Sequence, residues 1–187
     1  MYGMVNQAVE GLISERFGAD VWRQVKARAG VREEVFLQMK PYPDAITYQL
    51  VGAASDILDI PAPALLEAFG EYWTLYTGRH GYGELFQRGG RTFLEFMVNL
   101  HDLHSHVGAS FPALRPPSFW CSDVGHGRLR LHYQSEREGL APMVIGLVKG
   151  LGAMYATTVT VTHVVFRSAS GHDEFEVTFA PAGVVGA

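Results

Sequence analysis

The chain carries the run Arg128-Leu129-Arg130-Leu131-His132-Tyr133-Gln134-Ser135-Glu136-Arg137. Its side chains alternate with a period of two, which predicts a strand over 128–137 and puts Leu129, Leu131, Tyr133, Ser135 and Arg137 on one face. That face starts apolar and then presents a phenol, a hydroxyl and a guanidinium, donors about 7 Å apart on the side that should turn inward. An inward arginine cannot shed its charge, so it needs either a carboxylate of the protein or an acidic ligand. An internal salt bridge at the strand end satisfies Arg137 alone. It leaves the alignment of two further donors without a reason.

Beyond the strand, Pro142 suits a first helical position and opens a helix to about residue 154. The segments 158–167 and 174–179 then read as two paired strands, with 168–173 as their turn. Upstream, a helix is expected over about 92–107, followed by a Pro-rich connection to the strand. The first half of the chain has helical texture. Val5, Ala8, Val9, Leu12 and Ile13 recur at helical spacing over about 4–17, and Asp20 is positioned to cap a second helix through Trp22 and Val25 to Gly30. After the turn Lys40-Pro41-Tyr42-Pro43-Asp44 a third helix carries Ile46, Leu50, Val51 and Ala54. Pro61 or Pro63 opens a fourth through Leu65, Leu66, Phe69 and Trp73. Gly78, Gly81, Gly83, Gly89 and Gly90 mark loops. The expected architecture is α+β: an N-terminal helical subdomain packed on a helix plus an antiparallel sheet.

Bulk properties agree with one domain, since 187 residues with 48% hydrophobic and 18% charged content can bury a sizeable core. A net charge of −4, with the basic residues scattered, excludes a phosphate-gripping face, so nucleic acid is not an expected partner. The single cysteine, Cys121, cannot close an internal disulfide, and sites built on several thiolates are excluded with it. The amino terminus lacks a signal-peptide pattern, and no run of apolar residues is long enough to span a bilayer. A soluble chain in a reducing cytoplasm, without membrane contact, is the expectation.

The helix over 92–107 carries the second anomaly. Taking about 100° per residue, Phe96, Met97, Leu100, Leu103 and Val107 fall in one arc roughly 120° wide, and His104 lies inside it. His106 projects to the opposite side and His101 sits beyond the shoulder. A core imidazole has two nitrogens to satisfy, and an unpaired one costs on the order of 1–3 kcal/mol. A hydrogen-bonded core histidine and a ligand to a metal or cofactor both answer that need. A mononuclear site made from His101, Asp102, His104 and His106 is disfavoured, because His106 cannot join the others on one side. Cys121 has no base coupled to it and reads as an unreactive thiol.

Tyr133-Gln134-Ser135-Glu136-Arg137 matches the Tyr-x-Ser-x-Arg signature of the haem-nitric oxide/oxygen-binding (H-NOX) family, and the chain resembles that family over nearly its whole length. Leu103-His104-Ser105-His106-Val107-Gly108 stands where the family has its proximal iron ligand, and Arg115-Pro116-Pro117-Ser118-Phe119 where it has a haem-packing proline. Gly139-Leu140-Ala141-Pro142-Met143, Gly146-Leu147, Met1-Tyr2-Gly3 and Phe69-Gly70-Glu71-Tyr72-Trp73 fit as well. The chain is most similar to the stand-alone bacterial members and to the haem domain of the soluble guanylate cyclase β subunit.

The resemblance implies haem b (iron protoporphyrin IX) between a helical distal part, about 1–60, and a proximal part with the sheet, about 61–180. It implies His104 as the axial iron ligand, Tyr133, Ser135 and Arg137 as anchors of the propionates, and Pro117, Val5 and Leu147 as the side chains that hold the macrocycle out of plane. In oxygen-binding members a distal tyrosine donates a hydrogen bond to dioxygen. Here that position reads Met143, which has no proton to give, so the expectation is a sensor of nitric oxide that also binds carbon monoxide. Trp73 is the alternative donor that would instead make an oxygen-binding member. Without haem, the remaining reading is an enzyme, a non-haem metal protein or a binder of apolar ligands. The implied signal is weakening of the bond between iron and His104, relayed to a separate protein such as a histidine kinase or a cyclic-dinucleotide enzyme. No cyclase or kinase segment lies in these 187 residues, so catalysis by the chain itself is not expected.

Overall fold

The computed structural model describes residues 1–79, 89–110 and 113–181, with the side chains of 77–79 and 109–110 left aside. Helix α1 (Gly3–Phe17) is followed by α2 (Ala19–Arg28), α3 (Asp44–Leu58) and α4 (Ala62–Arg79). Then come α5 (Phe93–Ser110), β1 (Ser118–Gly125), β2 (Arg128–Gln134), α6 (Ala141–Met154), β3 (Thr157–Val165), the single turn α7 (Arg167–Ser170) and β4 (Asp173–Pro181). The architecture is α+β as the sequence led one to expect. The four strands form one antiparallel sheet in the order β1-β2-β4-β3, so β2 and β4 are central.

Alternation explains the sheet. Leu129, Leu131 and Tyr133 of β2 and Phe175 and Val177 of β4 are buried on one face, while Arg130, His132, Glu174 and Glu176 lie on the other. Helix α6 lays Val144, Val148 and Leu151 on the buried face, and α5 adds Phe93, Phe96, Met97 and Leu100 to the same cluster. A second cluster unites Ala8, Val9, Leu12 and Ile13 of α1 with Trp22, Val25, Leu50 and Ala54, together with Leu65 and Phe69 of α4. Helix α4 also meets α6 across glycines: a Cβ on Gly70 would strike the Met143 carbonyl oxygen, and one on Gly146 would strike that of Glu67. Backbone therefore rests on backbone where the two clusters join.

Several boundaries differ from the sequence reading. The strand of 128–137 ends at Gln134, because the Ser135 hydroxyl captures the backbone N–H of Arg137 at 3.0 Å and turns the chain out of the ladder. The Pro-rich connection hides strand β1, an edge strand on which Phe119 alone is buried, so no alternation is there to read. Asp20 is not the cap of α2: Gly18 occupies that place, and Asp20 stands in the first turn paired with Arg23. Helix α2 stops at Arg28, and Gly30 follows with φ of 67°, a left-handed conformation that favours glycine. Gly78 lies within α4, whereas Gly81 and Gly83 fall outside the described residues. Among the described residues no helix is long and apolar enough to cross a membrane.

Candidate functional site

Where the two clusters face one another they leave a cavity of about 310 Å³, with an almost wholly apolar lining. All nine residues singled out in the sequence line it: Val5, Trp73, His104, Pro117, Tyr133, Ser135, Arg137, Met143 and Leu147. The chain delivers them from five directions. Val5 comes from α1, Trp73 from α4, His104 from α5, Pro117 and the Tyr133–Arg137 stretch from the two ends of the β1-β2 hairpin, and Met143 and Leu147 from successive turns of α6.

His104 is the polar side chain of the α5 wall. Its Nδ1 donates to the Leu100 carbonyl one turn back, at 2.8 Å, and its ring packs on Phe119 with centroids 5.0 Å apart. The Nδ1 bond assigns the tautomer, so Nε2 carries the lone pair, and among the described residues it has no hydrogen-bond partner. Burial, assisted by the charge of His101, holds the imidazole below its ordinary value against the opposing pull of the Leu100 carbonyl, which favours the neutral, ligating form. His101 and His106 are exposed on the far side of α5.

At another part of the wall Tyr133 is 5% exposed, and burial raises its phenol above the ordinary value, so it remains a donor at neutral pH. Ser135 and Arg137 follow in the turn beyond β2. Arg137 forks onto Asp44 of α3, through Nε at 2.8 Å and Nη2 at 3.4 Å, and its Nη1 donates to the Arg115 carbonyl at 2.8 Å. The amino terminus of Met1 pairs with the same carboxylate. Partial burial pushes Asp44 up, but the terminal ammonium and Arg137 outweigh it and hold the carboxyl below its ordinary value. The protein carboxylate that the sequence left open for Arg137 is thus Asp44, which sequence reasoning placed only in a turn. No local pattern joins residues 44 and 137.

On the opposing wall Met143 and Leu147 offer a thioether and an isobutyl group. Trp73 packs among Phe69 and Tyr76, with ring centroids 6.1 and 6.3 Å away. Cys121, outside the cavity, has its thiol pushed up to about 11 by burial and directed at the Met97 carbonyl at 3.4 Å, in keeping with an inert thiol.

An apolar cavity with one neutral imidazole on its wall, lined elsewhere by a phenol, a hydroxyl and a guanidinium already paired with Asp44, suits a large apolar cofactor that carries a metal and carboxylates. A family model described as haem-NO-binding matches residues 2–163. The chain belongs to the H-NOX family. Curated relatives include soluble guanylate cyclase gcy-31 of Caenorhabditis elegans, 28% identical over 162 residues that make up 86% of this chain and 23% of the relative. Soluble guanylate cyclase gcy-32 of the same organism is 32% identical over 152 residues, 80% of this chain and 22% of the relative. The chain spans about a quarter or less of the length of these relatives. Among solved structures, an H-NOX protein from S. oneidensis in its Fe(II)NO state superposes with a TM-score of 0.87 at 17% identity, covering 96% of this chain and 99% of that one. An oxygen-binding H-NOX domain, in its oxygen complex, superposes over 100% of both chains with a TM-score of 0.80 at 16% identity. Members that hold different gases share this fold, so the fold alone does not select the gas.

Proposed function

We propose that this H-NOX domain binds haem b in the cavity and senses nitric oxide, with carbon monoxide as a second ligand. The observation that carries this reading is His104, a half-buried neutral imidazole whose Nδ1 is already engaged, leaving Nε2 as its single free valence on an otherwise apolar wall. A histidine held through its other nitrogen to a backbone carbonyl is the usual arrangement of a metal ligand. Tyr133, Ser135 and Arg137 supply hydroxyl and guanidinium donors for the propionates, and charge-assisted bonds to carboxylates are the stronger kind. Pro117, Val5 and Leu147 bound the remaining space and set the shape that the macrocycle must adopt. Haem held there would supply a ferrous iron that binds the gas, with His104 Nε2 as the side-chain donor to that iron through a bond that would weaken once nitric oxide is bound. The chain's own part is to hold α5 through that bond in one state and to release it in the other.

Gas selectivity rests on Met143. A thioether cannot donate to the partial negative charge of bound dioxygen, whereas nitric oxide needs no such donor; the missing hydrogen bond is worth on the order of 1–3 kcal/mol in a dry pocket. Trp73 supports the second reading, an oxygen-binding member, because it also lines the cavity. The domain acts as a sensor rather than an enzyme, as one domain with a distal part over about 1–60 and a proximal part over about 61–180. It works in the cytoplasm through a separate protein such as a histidine kinase or a cyclic-dinucleotide enzyme. The test is spectroscopic. Purified protein should be red, keep its haem through desalting, form stable ferrous complexes with nitric oxide and carbon monoxide without air, and show no long-lived oxygen complex in air. A colourless chain that refuses added haem overturns the cofactor. A persistent oxygen complex lost in Trp73→Phe overturns the gas.

A further inference from the structure

The outer face of the sheet, turned away from the cavity, carries a cluster that the haem reading does not use. His132 on β2, Glu174 on β4 and His172 in the turn before β4 converge there, all half-buried. Their nearest atoms form a triangle: His132 Nδ1 to His172 Nε2 is 3.1 Å, His172 Nε2 to Glu174 Oε1 is 3.3 Å, and Glu174 Oε1 to His132 Nδ1 is 3.7 Å. A tetrahedral zinc ion with ligands about 2.0–2.1 Å away separates them by roughly 3.3–3.4 Å. The three edges bracket that value before any ion pulls the ligands into place.

The surroundings are those of ligands held in position. His132 Nε2 bonds the Ser122 hydroxyl at 2.7 Å, which leaves Nδ1 as the lone-pair nitrogen when Nε2 donates. The Trp120 indole stacks on the His132 ring at 4.9 Å and 4° and also covers His172 at 5.1 Å, fixing both imidazoles. Arg130 Nη1 grips the far oxygen of Glu174 at 3.2 Å, so Oε1 is the oxygen turned to the histidines. Two imidazoles and one carboxylate suit a zinc-class divalent ion, and the nitrogen ligands disfavour calcium and magnesium.

We propose that His132, His172 and Glu174 form a zinc-class metal site on the outer face of the sheet, separate from the haem pocket and tying the β4 turn to β2. Without metal the same groups make a hydrogen-bonded histidine pair beside a carboxylate, and the experiment separates the two. The untagged full chain, loaded with haem, stripped with chelator and desalted, is titrated with zinc chloride against a chromophoric zinc chelator. One zinc ion per chain should bind, with a dissociation constant of about 1 µM or tighter. His172→Asn and Glu174→Gln should each weaken it at least about tenfold. His126→Asn and Glu176→Gln, at exposed positions outside the cluster, should leave it unchanged. The zinc K-edge of the unmodified chain, which needs no variant to fold, should report two imidazole nitrogens at about 2.0–2.1 Å. Absence of stoichiometric zinc, binding that survives both ligand substitutions, or an edge spectrum without imidazole overturns the site. Because zinc and haem absorb at different edges and occupy different faces, loss of one reading leaves the other standing.

Discussion

At the scale of the residue, His104 and Arg137 solve different problems. His104 offers one free nitrogen to a dry wall, so His104→Gly should abolish stable haem binding, and free imidazole should restore it by occupying the vacated position. His101→Gly and His106→Gly, on the exposed side of α5, should retain haem; Soret absorbance after desalting reads all three. Arg137 already shares its guanidinium between Asp44 and the Arg115 carbonyl. Arg137→Ala should cost more haem retention than Ser135→Ala, because a charged hydrogen bond is worth roughly twice a neutral one. The Asp44 carboxyl lies below its ordinary value of 3.8, so its ion pairs stabilise the fold fully above the unfolded value and lose that effect as pH falls through the folded one. The stability gap between the unmodified chain and Asp44→Asn, read from urea midpoints, should stay constant from neutral pH to about pH 5 and close below about pH 4.

At the scale of the element, the meeting of α4 and α6 sets the cavity. Both helices present glycine at the crossing, and each missing Cβ lets a carbonyl of the partner approach. Gly146→Ala forces the helices apart and should destabilise by about 1–3 kcal/mol in urea denaturation. It should also shift the carbon monoxide spectrum, since Met143 and Leu147 ride on the same helix. Gly52→Ala, in α3 with nothing within 4 Å of the added carbon, should be neutral or stabilise by about 0.5–1 kcal/mol.

The whole molecule is two apolar clusters joined across a cavity, with Asp44–Arg137 and the bond from the Tyr48 hydroxyl to the Glu138 carbonyl at 2.9 Å among the polar links between them. Release of His104 would free α5 from the cavity and allow the first cluster to shift against the second. Hydrogen exchange of the haem-loaded chain should therefore quicken on addition of nitric oxide along residues 100–108, with a smaller change in α1, while the β2–β4 ladder remains protected. Unchanged exchange in α5, with nitric oxide demonstrably bound, removes this route of signalling.

Much of this was legible in the chain itself, because short-range periodicity is a local property. The period of two in 128–133, the helical arc that selects His104 from its neighbours, and Pro142 at a helix start need no tertiary partner to be read. Resemblance then gathered Val5, Pro117 and Leu147 with them, and all three line the cavity. Other features were decided by contacts far apart in sequence. The partner of Arg137 lies on α3, β1 is a strand only because β2 offers it a ladder, and Ser135 leaves that ladder for a local turn. His132, His172 and Glu174 come together because antiparallel registry sets β2 beside β4, pairing His132 with Glu174, a juxtaposition that no spacing along the chain encodes.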